Sequence, residues 1–180
     1  MADSILVATA KGIVTALETE RDSGSGFNGI DFTAEWDFIG REPDEEVDED
    51  ETSVKVLVPR EYDEALPHDR TNMAYVATFD IELRRKIGAA GQDQDQQAER
   101  DDLSGLARML ETIHAFFLGT LSERRITLAD LGMIAEWIPE RDGITSTSKI
   151  MYTYSIERLA QHREYYGLCR EVFEITPGTA

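Results

Sequence analysis

The residues that could carry chemistry in this chain form few familiar patterns. Gly24, Gly26 and Gly29 match the spacing of the G-x-G-x-x-G loop that binds dinucleotides. In that loop a strand leads in and a helix leads out, so that backbone amides point at the phosphates. Here a helical pattern precedes the glycines and an alternating pattern follows them, which is the reverse order. We interpret the segment as a turn and expect no cofactor.

Carboxylates are concentrated between Glu42 and Glu51, where eight of the ten residues are acidic. A calcium loop needs spaced ligands and a central glycine, and this run has neither. A magnesium-dependent nuclease would combine Asp44 with a later acid-x-Lys triplet. The candidate triplet, which ends at Lys55, begins with Ser53 instead of a carboxylate. We therefore expect a solvated, flexible acidic loop over residues 41–52 and no bound metal.

The imidazoles and the single thiol also lack partners at useful spacing. None of His68, His114 and His162 belongs to an H-x-x-x-H or H-E-x-x-H pair, and a structural role is expected for His114 beside an apolar stripe. Cys169 is the only cysteine, which excludes an internal disulfide and predicts a buried, small apolar residue. The sequence predicts no catalytic residues, and an enzyme is the least favoured class of function.

Net charge is the strongest compositional feature. The 180 residues include 36 acidic and 18 basic side chains, for a formal net charge of −18. A broad phosphate-binding surface needs clustered positive charge, so specific nucleic-acid binding is disfavoured. No apolar stretch approaches the ~20 residues of a membrane helix, and the N-terminus lacks the order of a secretory signal. We expect one domain over residues 1–180 that acts in the cytoplasm, away from membranes.

The sequence contains one cluster of consecutive basic residues, Arg84, Arg85 and Lys86. It is either a solvated strand end or a contact for an acidic surface. In the second interpretation it meets the acidic loop of a neighbouring copy, and the opposite charges fix the orientation of the two copies. The candidate interface residues are therefore Arg84, Arg85, Lys86, Asp44, Glu45, Glu46, Asp48, Glu49, Asp50 and Glu51.

Apolar periodicity predicts two helices. The first follows a capping Ser4 and has apolar residues at helical spacing up to Leu17. The second begins near Asp101 or Asp102 and ends at Gly119, after a stripe of five apolar residues at spacings of three and four. A polar loop is expected before it, over residues 88–101.

Alternation and apolar runs predict five strands. They fall at residues 32–38, 54–58, 73–86, 133–138 and 165–175. Residues 143–162 are compatible with a strand or with a helical turn. The predicted order is α-β-β-β-α-β-β. Because the strands occur in runs, the fold class is α+β, an antiparallel sheet with two helices packed on one face.

In element order, and in particular residues within the elements, the sequence resembles the small tail-terminator or tail-completion proteins of tailed bacteriophages. The resemblance covers nearly the whole chain. The matching features are Phe32-Thr33-Ala34-Glu35, Val54–Arg60, Asp80–Lys86, the helix Leu106–Phe117, Ala135-Glu136-Trp137-Ile138 and Ser155–Leu159. The acidic loop, the Gln/Asp-rich loop and the extra length around residues 143–153 depart from the family pattern.

The resemblance implies a non-enzymatic structural protein of the virion, assembled in the host cytoplasm as a ring at the head–tail junction. The ring, usually a hexamer, would terminate the tail tube, joining the tail tube protein to the head–tail connector or stopper protein. DNA would pass through its lumen without specific binding, and an acidic lumen would repel phosphate. Two alternatives stay open: another neck or connector protein, and a cytoplasmic acidic binding module or assembly chaperone that holds a basic partner.

Overall fold

A computed structural model of the chain describes residues 3–23, 27–39, 51–65, 74–87, 96–118, 125–138, 149–156 and 163–178. Within these ranges it has eight strands, two α-helices and two single-turn 3₁₀ helices, at Phe27–Gly29 and Ala129–Leu131. The α-helices are α1 Ile5–Asp22 and α2 Gln96–Leu118, and the strands are β1 Thr33–Asp37, β2 Thr52–Leu57, β3 Asp63–Ala65, β4 Ala74–Ile87, β5 Arg125–Leu128, β6 Met133–Trp137, β7 Lys149–Ile156 and β8 Arg163–Pro177.

All eight strands form one sheet with the order β1-β2-β4-β8-β6-β5. β3 pairs with the start of β4, and β7 pairs with the first half of β8 beside β6. β1 and β2 run parallel, whereas the other pairs are antiparallel. The predicted α+β class, its element order and its largely antiparallel sheet are confirmed.

The structure adds detail that the periodicity does not contain. β3 and β5 have three and four residues, too few for alternation to be recognised. Within the ambiguous stretch 143–162, the described residues 149–156 form the strand β7. α2 begins at Gln96, earlier than expected, because Gln, Ala, Glu and Arg at its start all favour helix. The predicted loops 41–52 and 88–101 both extend too far, because Thr52 begins β2 and residues 96–101 belong to α2. The predicted cap Gly119 and the loop residues 41–50 and 88–95 lie outside the described residues.

Both helices pack on the same side of the sheet, here called the inner face. Gly12 of α1 lies against Ile126 and Leu128 of β5, and Leu110 of α2 lies over Gly167 of β8. The strand registers place Ile126, Leu128 and Gly167 on the same face of the sheet as the buried apolar side chains of β2 and β4. A single hydrophobic core therefore lies between this face and the two helices. The opposite side is called the outer face.

The sheet curls around α1. Six strands in a flat sheet would hold β1 and β5 about 24 Å apart at roughly 4.8 Å per strand, more than twice the ~10 Å diameter of a helix. Yet α1 contacts both end strands of the order. Its Lys11 ammonium lies 5.3 Å from the ring centre of Trp36 on β1, while the adjacent Gly12 abuts β5. The two sheet edges are therefore brought towards one helix.

Two glycines in helix interiors should respond in opposite directions to the same substitution. A Cβ at Gly12 would collide with Cγ2 of Ile126, whereas the nearest described atom to a Cβ at Gly105 would be Cδ1 of Ile30, at 4.0 Å. Alanine is favoured over glycine in helices by about 1 kcal/mol, but overpacking costs about 1–3 kcal/mol. We expect Gly105→Ala to raise the urea midpoint and Gly12→Ala to lower it. Equal shifts in the two variants would contradict the close packing of α1 on β5.

Candidate functional site

A network of charged side chains crosses the outer face of the sheet. Lys55 on β2 is almost fully buried, and its ammonium lies 3.3 Å from Oδ2 of Asp37 and 3.4 Å from Oε1 of Glu35, both on the neighbouring strand β1. Burial alone would raise the pKa of Asp37, but the backbone N–H of Phe38 and the Lys55 ammonium outweigh it and lower that pKa. The three residues thus tie the short edge strand β1 to the sheet by charge as well as by its backbone.

Glu82 on β4 lies directly across from Lys55 but interacts with a different strand. The Tyr166 hydroxyl on β8 donates a 2.7 Å hydrogen bond to Oε1 of Glu82. Burial, and then this bond to a carboxylate, raise the pKa of Tyr166 well above its usual range. Glu82 is 6% exposed, and its Oε2 atom has no hydrogen-bond partner among the described residues. The carboxylate is fixed in place rather than free to swing as a catalytic base.

Next to this pair, Arg170 of β8 and Asp80 of β4 form a bidentate ion pair on the same face. The Arg170 Nε and Nη2 atoms donate to the two Asp80 oxygens at 2.6 and 2.8 Å. This geometry matches the planar guanidinium to the carboxylate and holds the two central strands in register. The Lys55 cluster links β1 to β2, and the Tyr166–Glu82 and Arg170–Asp80 contacts link β4 to β8.

A second polar cluster lies on the inner face, around the fully buried Glu171 of β8. Its Oε1 is 2.6 Å from Nδ1 of His114 on α2, and its Oε2 accepts a 2.7 Å hydrogen bond from Nε1 of Trp137 on β6. Burial raises the pKa of Glu171, and the contacts with His114, Trp137 and Cys169 offset part of that rise. The contact between His114 and Glu171 joins α2 to the sheet, which is a structural role of the kind expected for His114.

Cys169 sits beside Glu171 and is completely buried, as the sequence predicts. Burial raises the pKa of its thiol well above the usual value, and the neighbouring Glu171 carboxylate raises it further. A reactive cysteine needs the opposite, an exposed and electropositive setting. Among the described residues, no group of three or more His, Cys, Asp or Glu side chains could hold a metal ion.

The three predicted basic interface residues do not form one patch. Arg84 and Arg85 are neighbours on β4, so their side chains point to opposite faces of the sheet. Arg84, on the outer face, is 7% exposed and lies between Ser53 and Tyr166, which is not the solvated strand end considered above. Arg85 is partly buried. Lys86 continues the strand, opposite Glu164.

Of the predicted acidic partners, only Glu51 lies within the described residues; Asp44, Glu45, Glu46, Asp48, Glu49 and Asp50 lie outside them. Glu51 helps to line an open hollow of about 460 Å³ at the start of β1 and β2, together with Arg21 and Asp31. The contact between this loop and the basic residues of a neighbouring copy remains a prediction.

An exposed apolar pair directly follows the edge strand β1. Phe38 and Ile39 are 57% and 63% exposed, and with Tyr62 they are the large apolar side chains most open to solvent in the described ranges. The sequence pattern predicts Phe38 on the buried side of its strand, but β1 ends at Asp37, so the alternation stops before Phe38. Its ring packs edge-on against Trp36, at 5.8 Å between ring centres.

A small hollow of about 250 Å³ lies between α1 and the end of β5. Its lining combines the apolar residues Ala8, Leu128 and Leu131 with the charged residues Asp3, Lys11 and Asp130. The Lys11 ammonium is 2.7 Å from Oδ2 of Asp3, so this pair is formed within the copy. Sequence reasoning misses this hollow, because it is formed by a helix and a strand that lie more than a hundred residues apart in the chain.

No family model matches the sequence, and no curated protein matches it at a significant level. Among the described residues, no helix is long and apolar enough to span a membrane. Within the described residues, the features that could serve contacts with other molecules are the two end strands of the sheet, the Phe38–Ile39 pair and the α1–β5 hollow.

Proposed function

We propose that this chain is a structural virion protein that assembles into a ring, most simply a hexamer, at the head–tail junction of a tailed phage. The observation that carries the proposal is the pair of open edges. In the described residues β1 pairs with β2 alone and β5 pairs with β6 alone, so both ends of the sheet keep unpaired backbone groups. α1 packs against both strands, but a helix uses its own N–H and C=O groups internally and cannot satisfy theirs.

Open edges of this kind favour association. Unpaired strand edges bind other strands, and proteins that remain monomeric protect them with charge, bulges or cover. β1 carries Glu35 and Asp37 on its outer face, and β5 carries Arg125 on the same face, as fixed by the registers with β2 and β6. These charges are already paired inside the copy, Glu35 and Asp37 with Lys55 and Arg125 with Glu136, so the edges would associate through their backbone groups. Contacts between two different edges run head to tail, and they form a ring where the rotation between copies closes. The resemblance to tail-terminator proteins supports the same assembly.

The net charge of −18 suits a ring that conducts DNA. Acidic side chains around a lumen would repel phosphates, so the duplex would slide without binding. In this proposal the axial partners are the tail tube protein and the head–tail connector or stopper protein. Another neck or connector protein, located next to the tail terminator, would assemble into a ring in the same way.

The test is the native mass of the purified chain by light scattering, with electron microscopy of any large species. A closed ring, and binding of that ring to the ends of purified tail tubes, are the expected results. A chain that stays monomeric and fails to bind tube ends would contradict the proposal.

Salt should promote this assembly. Each copy carries 18 excess negative charges, so copies repel one another at low ionic strength. Raising the salt from about 0.01 M to 0.15 M shortens the Debye length from roughly 30 Å to 8 Å and screens this repulsion, while apolar contacts keep their strength. We expect the average mass at fixed protein concentration to rise with salt. A mass that falls with salt would indicate that ion pairs dominate the contact.

The same charge favours a second candidate, an acidic binding module or assembly chaperone that holds a basic partner. Such a module would remain a monomer or dimer, and its affinity for a basic probe such as polylysine would fall steeply as salt rises. The two functions thus predict opposite responses of association to salt.

A further inference from the structure

The open backbone groups of β1 belong to two residues. The Asp37 carbonyl accepts a 2.7 Å hydrogen bond from the Val58 N–H, so Asp37 directs its backbone groups towards β2. Successive residues of a strand direct their N–H and C=O groups to alternate sides. Those of Ala34 and Trp36 therefore point away from β2, and both residues are partly exposed.

Side chains of the same copy already bind the next groups along this edge. The Phe32 carbonyl accepts a 2.6 Å hydrogen bond from Nη1 of Arg21, and the Phe38 N–H donates a 2.6 Å hydrogen bond to Oδ1 of Asp37. For the two residues between these ends, the described part of the chain supplies no partner on the open side. The free edge of β1 is thus short and has defined ends.

β5 has a free edge of the same length. The Ile138 N–H donates a 3.0 Å hydrogen bond to the Val172 carbonyl of β8, so alternate residues of β6 point towards β8 and towards β5. By the register of β5 with β6, Ile126 directs its backbone groups at β6, whereas Arg125 and Thr127 direct theirs out of the sheet. Both outward residues are exposed.

The two end strands run in the same direction. β1 is parallel to β2, and four antiparallel pairings separate β2 from β5, namely β2–β4, β4–β8, β8–β6 and β6–β5, so the direction is restored. α1 contacts Trp36 and Ile126 through side chains on the inner face, which leaves both edges open sideways. A second copy with its helices on the same side can therefore place its β1 parallel to β5 of the first.

Neither edge carries the protection that monomeric proteins give to their end strands, such as proline, bulges or unpaired charges. Both strands lack proline and have continuous registers, and Glu35, Asp37 and Arg125 are paired within the copy. A row of N–H and C=O groups is matched by the same row on another strand. A strand of an unrelated protein would match one edge and leave the other open, whereas in a ring every copy matches both edges of its neighbours.

We propose that β5 of one copy pairs in parallel with β1 of the next, so that Arg125 and Thr127 exchange backbone hydrogen bonds with Ala34 and Trp36. This inference rests on the proposed function, because it assigns the contact between neighbouring copies of the ring. One edge is used on each side of a copy, as a head-to-tail contact requires.

Proline tests each edge, because it removes an N–H directed at the neighbouring copy while the pairing inside the copy is kept. Ala34→Pro changes β1 and Thr127→Pro changes β5. The matched controls are Ala34→Ser and Thr127→Ser, which alter the same side chains but keep the N–H. Circular dichroism and urea midpoints check that all four variants fold.

We expect light scattering to show that each proline variant associates about tenfold more weakly or worse, while the serine controls keep the wild-type mass. Mixed together, the two proline variants should form one-to-one pairs, because one intact β5 edge and one intact β1 edge remain. Wild-type assembly in both proline variants, or an equal loss in the serine controls, would overturn the inference.

Amide hydrogen exchange of the wild type gives a second readout that needs no substitution. The N–H groups of Ala34, Trp36, Arg125 and Thr127 should exchange quickly in the dissociated copy and at least about tenfold more slowly in the assembly. The N–H of Ile126, which faces β6, should change much less. Equal exchange of the four edge amides in both states would overturn the inference, even if a proline variant failed to fold.

The outcomes separate this inference from the proposed function. A wild-type ring that neither proline variant disrupts would overturn the inference and leave the ring. A wild-type dimer that only Ala34→Pro dissociates would indicate pairing of β1 with β1 and overturn both. A chain that is monomeric at about 1 mM would overturn the inference, because the contact requires no other partner, whereas the proposed function falls only if tube ends are not bound either.

Discussion

Replacing Glu171 by leucine should lower the free energy of unfolding by about 3 kcal/mol, or roughly 6–12 °C in melting temperature. Glu171 is fully buried and is the acceptor for the Trp137 indole N–H, and it pairs with His114. Leucine fills a similar volume but leaves both partners without an acceptor inside the protein. Glu171→Gln keeps an oxygen for Trp137 and should lose only about 1 kcal/mol.

The comparison of wild type with Glu171→Gln should also depend on pH. Burial raises the pKa of Glu171 above its ordinary value of 4.5. At pH values between the ordinary pKa and the folded-state pKa, the folded protein therefore binds more protons at this site than the unfolded chain does. The contribution of Glu171 to stability is therefore complete below the ordinary pKa and is lost as the pH rises through the folded-state pKa. We expect the wild type to lose stability relative to Glu171→Gln as the pH increases from about 4.5 upwards.

Urea titrations of the wild type and Glu171→Gln from about pH 4.5 upwards measure the difference between their free energies of unfolding. Most other titrating groups contribute equally to both proteins and cancel from this difference. His114 touches the carboxylate, so the same pair is compared in a His114→Gln background. A stability difference that stays constant with pH would contradict a raised pKa for Glu171, and a harmless Glu171→Leu would contradict the hydrogen-bonded network.

Truncation of Phe173 to alanine should lower the free energy of unfolding by about 3–5 kcal/mol. Phe173 is fully buried on β8, and its ring meets Phe79 of β4 and Phe117 of α2 edge to face, at 5.7 and 5.6 Å between ring centres. The substitution removes a ring that joins α2 to the two central strands, and the neighbouring aromatic rings cannot collapse to fill the space.

The matched control is Phe38→Ala, the same chemical change at an exposed ring. Surface substitutions of this kind usually change stability by less than about 0.5 kcal/mol. We expect the urea midpoint to fall sharply in Phe173→Ala and to stay near wild type in Phe38→Ala, measured at a protein concentration where both are monomeric. A similar loss in both variants would contradict the assignment of Phe38 to the surface.

These expectations separate residues that hold the fold from residues available for contacts. Glu171, His114 and Trp137 have the residue types of a catalytic site, but their contacts are with one another across α2, β6 and β8. Phe38 and Ile39 have the residue types of a core, but they lie on the surface. Residue type alone therefore misassigns both groups, and only their positions in the fold distinguish them.

The sequence by itself determines the long elements of this protein. The stripe from Leu103 to Phe117 and the alternation along β4 each extend over more than ten residues, so one side of the element must be buried whatever its neighbours are. The runs of strands then determine the α+β class. The burial of Cys169 also follows locally, since its strand is rich in apolar residues.

Only the tertiary structure decides how these elements meet. The pairing of Glu171 with His114 joins residues 57 positions apart, and nothing local to either residue specifies the other. The parallel pairing of β1 with β2, the pairing of β7 with β8 and the α1–β5 hollow are likewise contacts between separate elements. A local pattern predicts which side of a helix or strand is buried, because the apolar residues of that element lie on one side. It does not predict which elements contact one another, because those contacts depend on the topology of the whole chain.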